Sequence, residues 1–218
     1  MPTIASAAPS LSRLSIPAVV LAATVLSGCA GLRPGVAVEV GDQQVSTSRV
    51  DEVMDRYCDA IGEAGTQPVA RKDIRTQVVG SLAATSAVEA FAAPYDVEAG
   101  ASYTRAVARL RAQLDDFDAE TREAIVAVEG ASAYVEALVT GVGHELEPGG
   151  DEAAAAEAGR AAFTEWLDKH DVTINPRYGL SLDGDQLQSR DASLSVAARD
   201  TEEPAGEAAS LPSAQRCG

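Results

Sequence analysis

Three cysteines and two histidines are the side chains in this sequence best suited to bind a metal or to act as a nucleophile. His144 and His170 each lack a nearby cysteine or second histidine, whereas a metal site needs several such ligands at close spacing. The adjacent acids Asp115 and Asp116 lie in an acidic stretch that is typical of a solvated surface. The residue pattern therefore predicts neither a bound metal nor a cofactor.

The sequence also lacks the motifs of the common enzyme classes. It contains no Gly-x-Ser-x-Gly turn, which would expose a nucleophilic serine above a sheet. It contains no Gly-x-Gly-x-x-Gly stretch and no Walker loop, whose backbone amides would hold a nucleotide phosphate. We therefore expect a protein that is not an enzyme.

The N-terminal segment combines one charged side chain with a long apolar run. Arg13 precedes an unbroken apolar stretch from Ile16 to Leu26. This run is too short to span a bilayer, which takes about 20 apolar residues, and it has the length of a signal-peptide hydrophobic region. A buried core helix is the alternative, but Pro17 and the abrupt Gly-rich exit disfavour it.

The residues that end this segment, LSGC at 26–29, resemble the lipobox of bacterial lipoproteins. The resemblance implies a lipoprotein signal peptide at 1–28, cleavage before Cys29, and acyl chains such as palmitate on that residue. A single acyl chain binds a membrane only marginally, whereas two or more anchor a protein stably. Residues 29–35 would then be a lipidated tether at the extracytoplasmic face of the cell membrane, with the lipid bilayer as partner.

The remaining cysteines, Cys58 and Cys217, are far apart in the sequence. Outside the cytoplasm, pairs of thiols tend to oxidise, so the two would form a disulfide that ties the C-terminal tail to an early helix. The alternative is that Cys58 is a small buried apolar residue and Cys217 a free terminal thiol. The sequence leaves both interpretations open, because it does not show that the sulfurs meet.

Charge and composition exclude some partners and favour helices. The chain has 17 basic and 33 acidic residues, a net charge of −16. Binding of nucleic acid depends on Lys and Arg that neutralise phosphates, so nucleic-acid partners are not expected. Aromatic residues make up only 4% of the chain, and alanine and valine carry most of the apolar fraction. Alanine has the highest helix propensity, so this composition favours closely packed helices.

The chain after residue 35 begins with a predicted hairpin and continues with about five predicted helices. Apolar and polar residues alternate across 36–40, and Gly41-Asp42 is a turn signal before a short second strand. Apolar residues then recur every three or four positions, as on one face of a helix. The predicted helices run from Ser46 or Ser48 to Gly62, over 69–92 and 102–117, from Asp118 or Thr121 to the Gly-Val-Gly at 141–143, and over 151–170.

The helical period ends in the stretch DVTINPRYGLSL at 171–182, which is short and rich in β-branched residues and predicts a terminal strand or two. We expect this strand to pair with 36–40 and so to bring the ends of the domain together. Residues 188–218 contain mainly Ser, Ala, Glu and Pro and predict a disordered tail. The predicted fold class is mainly α, with a short N-terminal hairpin paired to a C-terminal strand.

Several pieces of this pattern together resemble the N-terminal domain of SurA-type extracytoplasmic chaperones. They are the opening VAVEVGDQQVSTSRVDEV, the all-helical middle and the closing NPRYG, and the resemblance covers about 36–187. Members of this family commonly carry an inserted parvulin prolyl-isomerase domain, but only about ten residues separate Trp166 from Asn175 here. The resemblance therefore implies a non-catalytic, chaperone-like module that holds unfolded or secreted polypeptides in an apolar groove.

Such a groove requires apolar side chains exposed on a helical surface. The candidate groove residues are the aromatic residues of the helical region: Tyr57, Phe91, Tyr103, Phe117 and Tyr134. The alternative for each is burial in the core, since the helices must bury some side chains. The alternative function is a scaffold or accessory subunit of a cell-envelope complex.

Overall fold

A computed structural model describes residues 33–183, 186–189 and 207–218, and the proposed signal peptide and Cys29 lie outside these ranges. Within them the chain is mainly helical, as predicted, with short antiparallel strands. The helices are α1 Thr47–Glu63, α2 Arg71–Ala92, α3 Ala101–Arg111, α4 Ala119–Glu129, α5 Ala131–Leu146 and α6 Glu152–Leu167. The strands are β1 Val36–Val40, β2 Gln43–Ser46, β3 Val69–Ala70, β4 Val172–Ile174, β5 Leu180–Asp183, β6 Gln186–Ser189 and β7 Arg216–Cys217.

The first and last strands of the predicted domain meet in one antiparallel sheet, which confirms the expected strand return. The order is β2-β1-β4, so β1 lies in the centre, and Val38 is the register partner of Ile174. Gly41 has a φ of +57° in the two-residue connection to β2, a conformation that glycine adopts without steric cost. Val38 and Val40 are fully buried against α1 and α2, so the sheet is part of the main core.

Asn175, which begins the predicted NPRYG closing segment, fixes this strand to the start of β1. Its side-chain Nδ2 donates to the Val36 carbonyl oxygen at 2.9 Å, and its backbone N–H donates to the Ala37 carbonyl oxygen at 2.8 Å. A single 3-10 turn over Pro176–Tyr178 follows and ends at Gly179, whose φ is +65°. The side chain of Asn175 therefore continues the β1–β4 pairing where the strand itself ends.

Replacing Asn175 with alanine should lower the free energy of unfolding by about 1–2 kcal/mol, because the Val36 carbonyl loses its side-chain donor. Denaturant unfolding of the variant and the wild type measures this difference. Thr173→Ala is the matched control, since Thr173 is exposed on β4 and its side chain makes no hydrogen bond within the described residues. Equal losses in the two variants would contradict a closing role for Asn175.

The predicted fourth helix is two helices, α4 and α5, bent by 55° at Gly130. A glycine in a long helical pattern is a common cause of a sharp bend. The Gly-Val-Gly at 141–143 does not end α5, which continues to Leu146. The predicted third helix is also shorter than expected: α3 ends at Arg111, and Phe117 follows it in a turn.

Within the described ranges no single helix is both long and apolar enough to cross a bilayer. Taken together, α4 and α5 reach the required length and composition, but they are the pair bent by 55°.

The prediction of a disordered tail at 188–218 is wrong for residues 207–218. Short 3-10 turns at Glu207–Ser210 and Ser213–Gln215 lead into β7, which pairs with β3 in antiparallel register, Val69 opposite Cys217. Strand β6 also extends past residue 187, to Ser189. The tail is held here by backbone pairing, which its composition does not indicate, and by the Cys58–Cys217 disulfide, which is one of the two interpretations that the sequence left open.

Cys58 of α1 and Cys217 of β7 are joined by a disulfide, with their Cα atoms 4.7 Å apart. Both residues are buried, and both belong to the main core cluster together with Val53, Ile74 and Val78. The disulfide therefore links the C-terminal strand to the first helix across 159 positions of sequence. The structure therefore contains the disulfide, which is one of the two interpretations that the sequence left open.

Candidate functional site

An open apolar groove between α2, the α4–α5 bend and α6 is the largest cavity described here, with a volume of about 590 Å³. We call it the α2–α5 groove. Its lining comes only from helices, and most of it is aliphatic or aromatic carbon. The lining residues are Gly80, Ser81, Ala84, Ala87, Val128, Ala131, Ser132, Val135, Glu136, Val139, Thr140, Arg160, Phe163 and Leu167.

Small residues of α2 form the floor of the α2–α5 groove. Gly80, Ala84 and Ala87 follow the spacing of four and three positions that places residues on one helix face. The larger stripe of α2, including Ile74 and Val78, points instead into the main core. Short side chains on the first face leave the space that a leucine or valine would fill.

The walls of the groove are held by a very close contact between α5 and α6. Gly143 on α5 lies against the backbone of Ala155, and Gly159 on α6 lies against the backbone of Val139. Both glycines are buried, and a Cβ atom on either would collide with the opposite carbonyl oxygen. Glycine permits this approach because it has no side chain. The contact fixes α6, which carries Phe163 and Leu167, beside α5.

Aromatic packing behind the wall keeps Phe163 in place. Its ring lies 5.1 Å from that of Phe91 and 6.3 Å from that of Trp166, measured between centroids. Phe91 is only 2% exposed, in a second core cluster with Leu138 and Val142. The half-buried Phe163 thus connects this core to the groove surface.

Two charged side chains, Glu136 on α5 and Arg160 on α6, lie on the rim of the groove. Both are exposed, and within the described residues neither forms an ion pair or a side-chain hydrogen bond. On the floor, the Ser81 hydroxyl donates to the Val128 carbonyl oxygen at 3.2 Å. This hydrogen bond satisfies a hydroxyl group that would otherwise face the groove unpaired. The α2–α5 groove is therefore apolar, with two charged side chains of opposite sign on its rim.

None of the five aromatic residues predicted for the groove lines it. Phe91 is a core residue, and Phe117 is half-buried in the turn after α3. Tyr103 and Tyr134 instead line a second cavity of about 380 Å³ beside α2, α3 and the α4–α5 bend. Their rings meet edge to face with centroids 5.0 Å apart. The aromatic assignment therefore identified packing residues and missed the small and aliphatic residues that form the groove.

Tyr57 and Tyr134 each use their hydroxyl to join two helices. The Tyr57 hydroxyl donates to Glu129 of α4, a carboxylate that also accepts from Gln77 Nε2 at 2.9 Å. The Tyr134 hydroxyl donates to Glu89 at 3.2 Å. Burial and the Glu89 carboxylate raise the pKa of Tyr134 to about 12, and burial together with the Glu129 contact also raises the pKa of Tyr57. Both phenols are neutral donors at physiological pH.

The histidines and acidic side chains of the described ranges do not form a metal site. No group of three His, Cys, Asp or Glu side chains there is close enough to hold a metal ion. The His170 ring stacks on Trp166 with centroids 4.2 Å apart, and its Nδ1 lies 2.8 Å from the Trp166 carbonyl oxygen. His144 is exposed near the end of α5.

The geometry that bears on function is thus the open α2–α5 groove, which is lined mainly by small and aliphatic side chains. A signal for it is present in the sequence as the stripe Gly80, Ala84 and Ala87, small residues spaced four and three positions apart on α2. Small residues within a helix are usually packing positions, so these three were not among the predicted groove residues. Comparison of the chain with protein-family models, with curated proteins and with solved structures found no match in any of the three.

Proposed function

We propose that this chain is a membrane-anchored extracytoplasmic lipoprotein whose helical domain holds polypeptide segments without catalysing a reaction. The domain would be a SurA N-terminal-type module without the prolyl-isomerase insert. The observation that carries the proposal is the α2–α5 groove, an open apolar cavity with a volume of about 590 Å³. Apolar concavities of this size are the usual sites at which proteins bind apolar groups of a partner.

The lining supports reversible holding of varied segments. Aliphatic contacts have no directional requirement, so they accept many sequences, and burial contributes about 25 cal/mol for each Å² of apolar surface. The two rim charges would orient a segment without demanding one sequence. The overall negative charge keeps the chain itself soluble while the groove is empty.

A bulky side chain on the floor should block holding. We expect the full chain, purified from membranes and placed in nanodiscs of neutral lipid, to suppress aggregation of rhodanese diluted from denaturant. Ala84→Leu should weaken this suppression by about tenfold in the concentration required, equivalent to about 1.4 kcal/mol of binding free energy. Light scattering measures the effect, with empty nanodiscs as the blank.

Ala161→Leu is the matched control, because Ala161 is exposed on α6 and does not line the groove. It should leave suppression unchanged. Equal activity of the two variants would contradict holding in the groove. No suppression by the wild type, together with capture of one stoichiometric envelope protein, would instead favour the accessory-subunit function.

The anchor rests on Cys29. We expect the wild-type chain in the membrane fraction, labelled by a radioactive or clickable fatty acid, because the acyl chains attach to this residue. Cys29→Ala should remove the label and either release the chain or leave an uncleaved precursor. Cys217→Ala should keep the label, since its sulfur lies inside the folded domain. A Cys29→Ala variant that is still labelled would refute the anchor.

A further inference from the structure

We propose that the α2–α5 groove receives its polypeptide as a short cationic amphipathic helix and not as an extended strand. This inference rests on the proposed holding function and specifies the class of segment held. Three features carry it: the hydrogen-bonding capacity of the lining, the shape of the floor, and charge.

Hydrogen bonding favours a helix in the groove. All the lining residues belong to α2, α4, α5 and α6, whose interior backbone groups already pair within each helix, and no strand edge borders the groove. An extended segment would bring unpaired N–H and C=O groups to an apolar surface, and each such buried group carries a free-energy cost. A helical segment pairs its own backbone internally and presents only side chains.

The shape of the floor also fits a helix. Gly80 and Ala84 are half-buried and carry almost no side chain, so the side-chain ridge of another helix can pack against them, whereas Ala87 is only 1% exposed. The α5 side of the groove runs from Ala131 to Thr140, about 14 Å at 1.5 Å per residue. A contacting helix of two to three turns, about 9 or 10 residues, matches this length.

Charge indicates a cationic occupant. The chain carries a net charge of −16, and a field of this sign accelerates the approach of positively charged segments. On the rim, Glu136 is unpaired within the described residues and is available to a lysine or arginine of the occupant. Arg160 would form an ion pair with one acidic residue on the same polar face of the occupant. An amphipathic helix with several cations on its polar side meets these requirements.

The test compares four synthetic peptides of about 18 residues, a length at which an amphipathic sequence forms a helix readily. The first has an Ala/Leu face and a Lys-rich face. The second has the same composition in a non-amphipathic order, the third has two central residues replaced by proline, and the fourth has Glu in place of Lys. Fluorescence anisotropy measures their binding to the full chain in nanodiscs of neutral lipid.

The first peptide should bind about tenfold or more tightly than each of the others. Ala84→Leu should weaken its binding by about tenfold, and Ala161→Leu should leave it unchanged. Glu136→Gln should weaken it by about two- to fivefold, with the loss reduced in high salt. Circular dichroism or NMR of the bound peptide should show helix.

Three outcomes overturn the inference or one part of it, in distinguishable ways. Equal or tighter binding of the proline peptide, still blocked by Ala84→Leu, would reject the helical occupant and keep the holding function. Preference for the Glu peptide would overturn the charge argument alone. A third result would be that no peptide binds but a fluorescent fatty acid does, and that Ala84→Leu abolishes the fatty-acid binding. This result would reject both the helical occupant and the holding function, and would assign the groove to acyl chains.

Discussion

Gly143→Ala and Gly159→Ala should each lower the free energy of unfolding by about 2–3 kcal/mol, near the upper end of the usual cost of overpacking. At both positions the new Cβ meets a backbone carbonyl oxygen of the other helix, of Ala155 or of Val139. Backbone cannot rotate away as a flexible side chain can, so α5 and α6 must separate. Urea or thermal unfolding of the full chain measures the loss.

Gly62→Ala is the matched control for this substitution. Gly62 lies in α1, and a Cβ there would meet only the Cα of Gly218, at 3.8 Å. Because alanine favours helix over glycine, this change should stabilise the protein by about 0.5 kcal/mol. Should the Gly143 and Gly159 variants also be neutral or stabilised, the close backbone contact between α5 and α6 would be wrong.

Loss of the Cys58–Cys217 disulfide should lower the free energy of unfolding by about 2–5 kcal/mol. The bond closes a loop spanning 159 positions, and a cross-link over a long loop restricts the unfolded chain most strongly. Denaturant unfolding with and without dithiothreitol measures the difference. The short β3–β7 pairing should be the first structure lost, since each strand has only two residues.

The double variant Cys58→Ala, Cys217→Ala provides the control for reduction. Its unfolding midpoint should match that of the reduced wild type and should not respond to dithiothreitol. If reductant leaves the wild-type midpoint unchanged while a thiol assay shows both sulfurs reduced, the disulfide contributes nothing to stability. That result would contradict the prediction.

Much of the fold was predictable because its signals are local. The caps at Ser46, Asp118 and Asp151, which accept backbone N–H groups in the structure, match predicted helix starts. The β1–β4 pairing followed from the change of period at 171–182. The bend at Gly130 was missed because the apolar period continues through this position, although the glycine itself is a local signal for a bend.

The candidate site was harder to predict than the fold. Helical periodicity identifies the buried face of each helix, but it does not distinguish a filled core from an open groove. Phe91 and Val139 satisfy the same pattern, yet only Val139 lines the groove. The space arises where small residues of α2 face α5, a long-range relation between two helices. Of the two contacts that order the tail, only the disulfide with Cys58 was among the expectations, since the strand partner β3 is distant in sequence.

The disulfide also determines what a single cut in the polypeptide would do. Ser189 ends β6 and Glu207 begins the next described turn, so residues 190–206 connect two parts of one folded body. Cys217 lies beyond this connection and is bonded to Cys58 before it. A protease that cleaved between 190 and 206 would therefore produce two fragments that migrate as one species on a non-reducing gel and separate only after reduction. The molecule would persist as a covalent heterodimer.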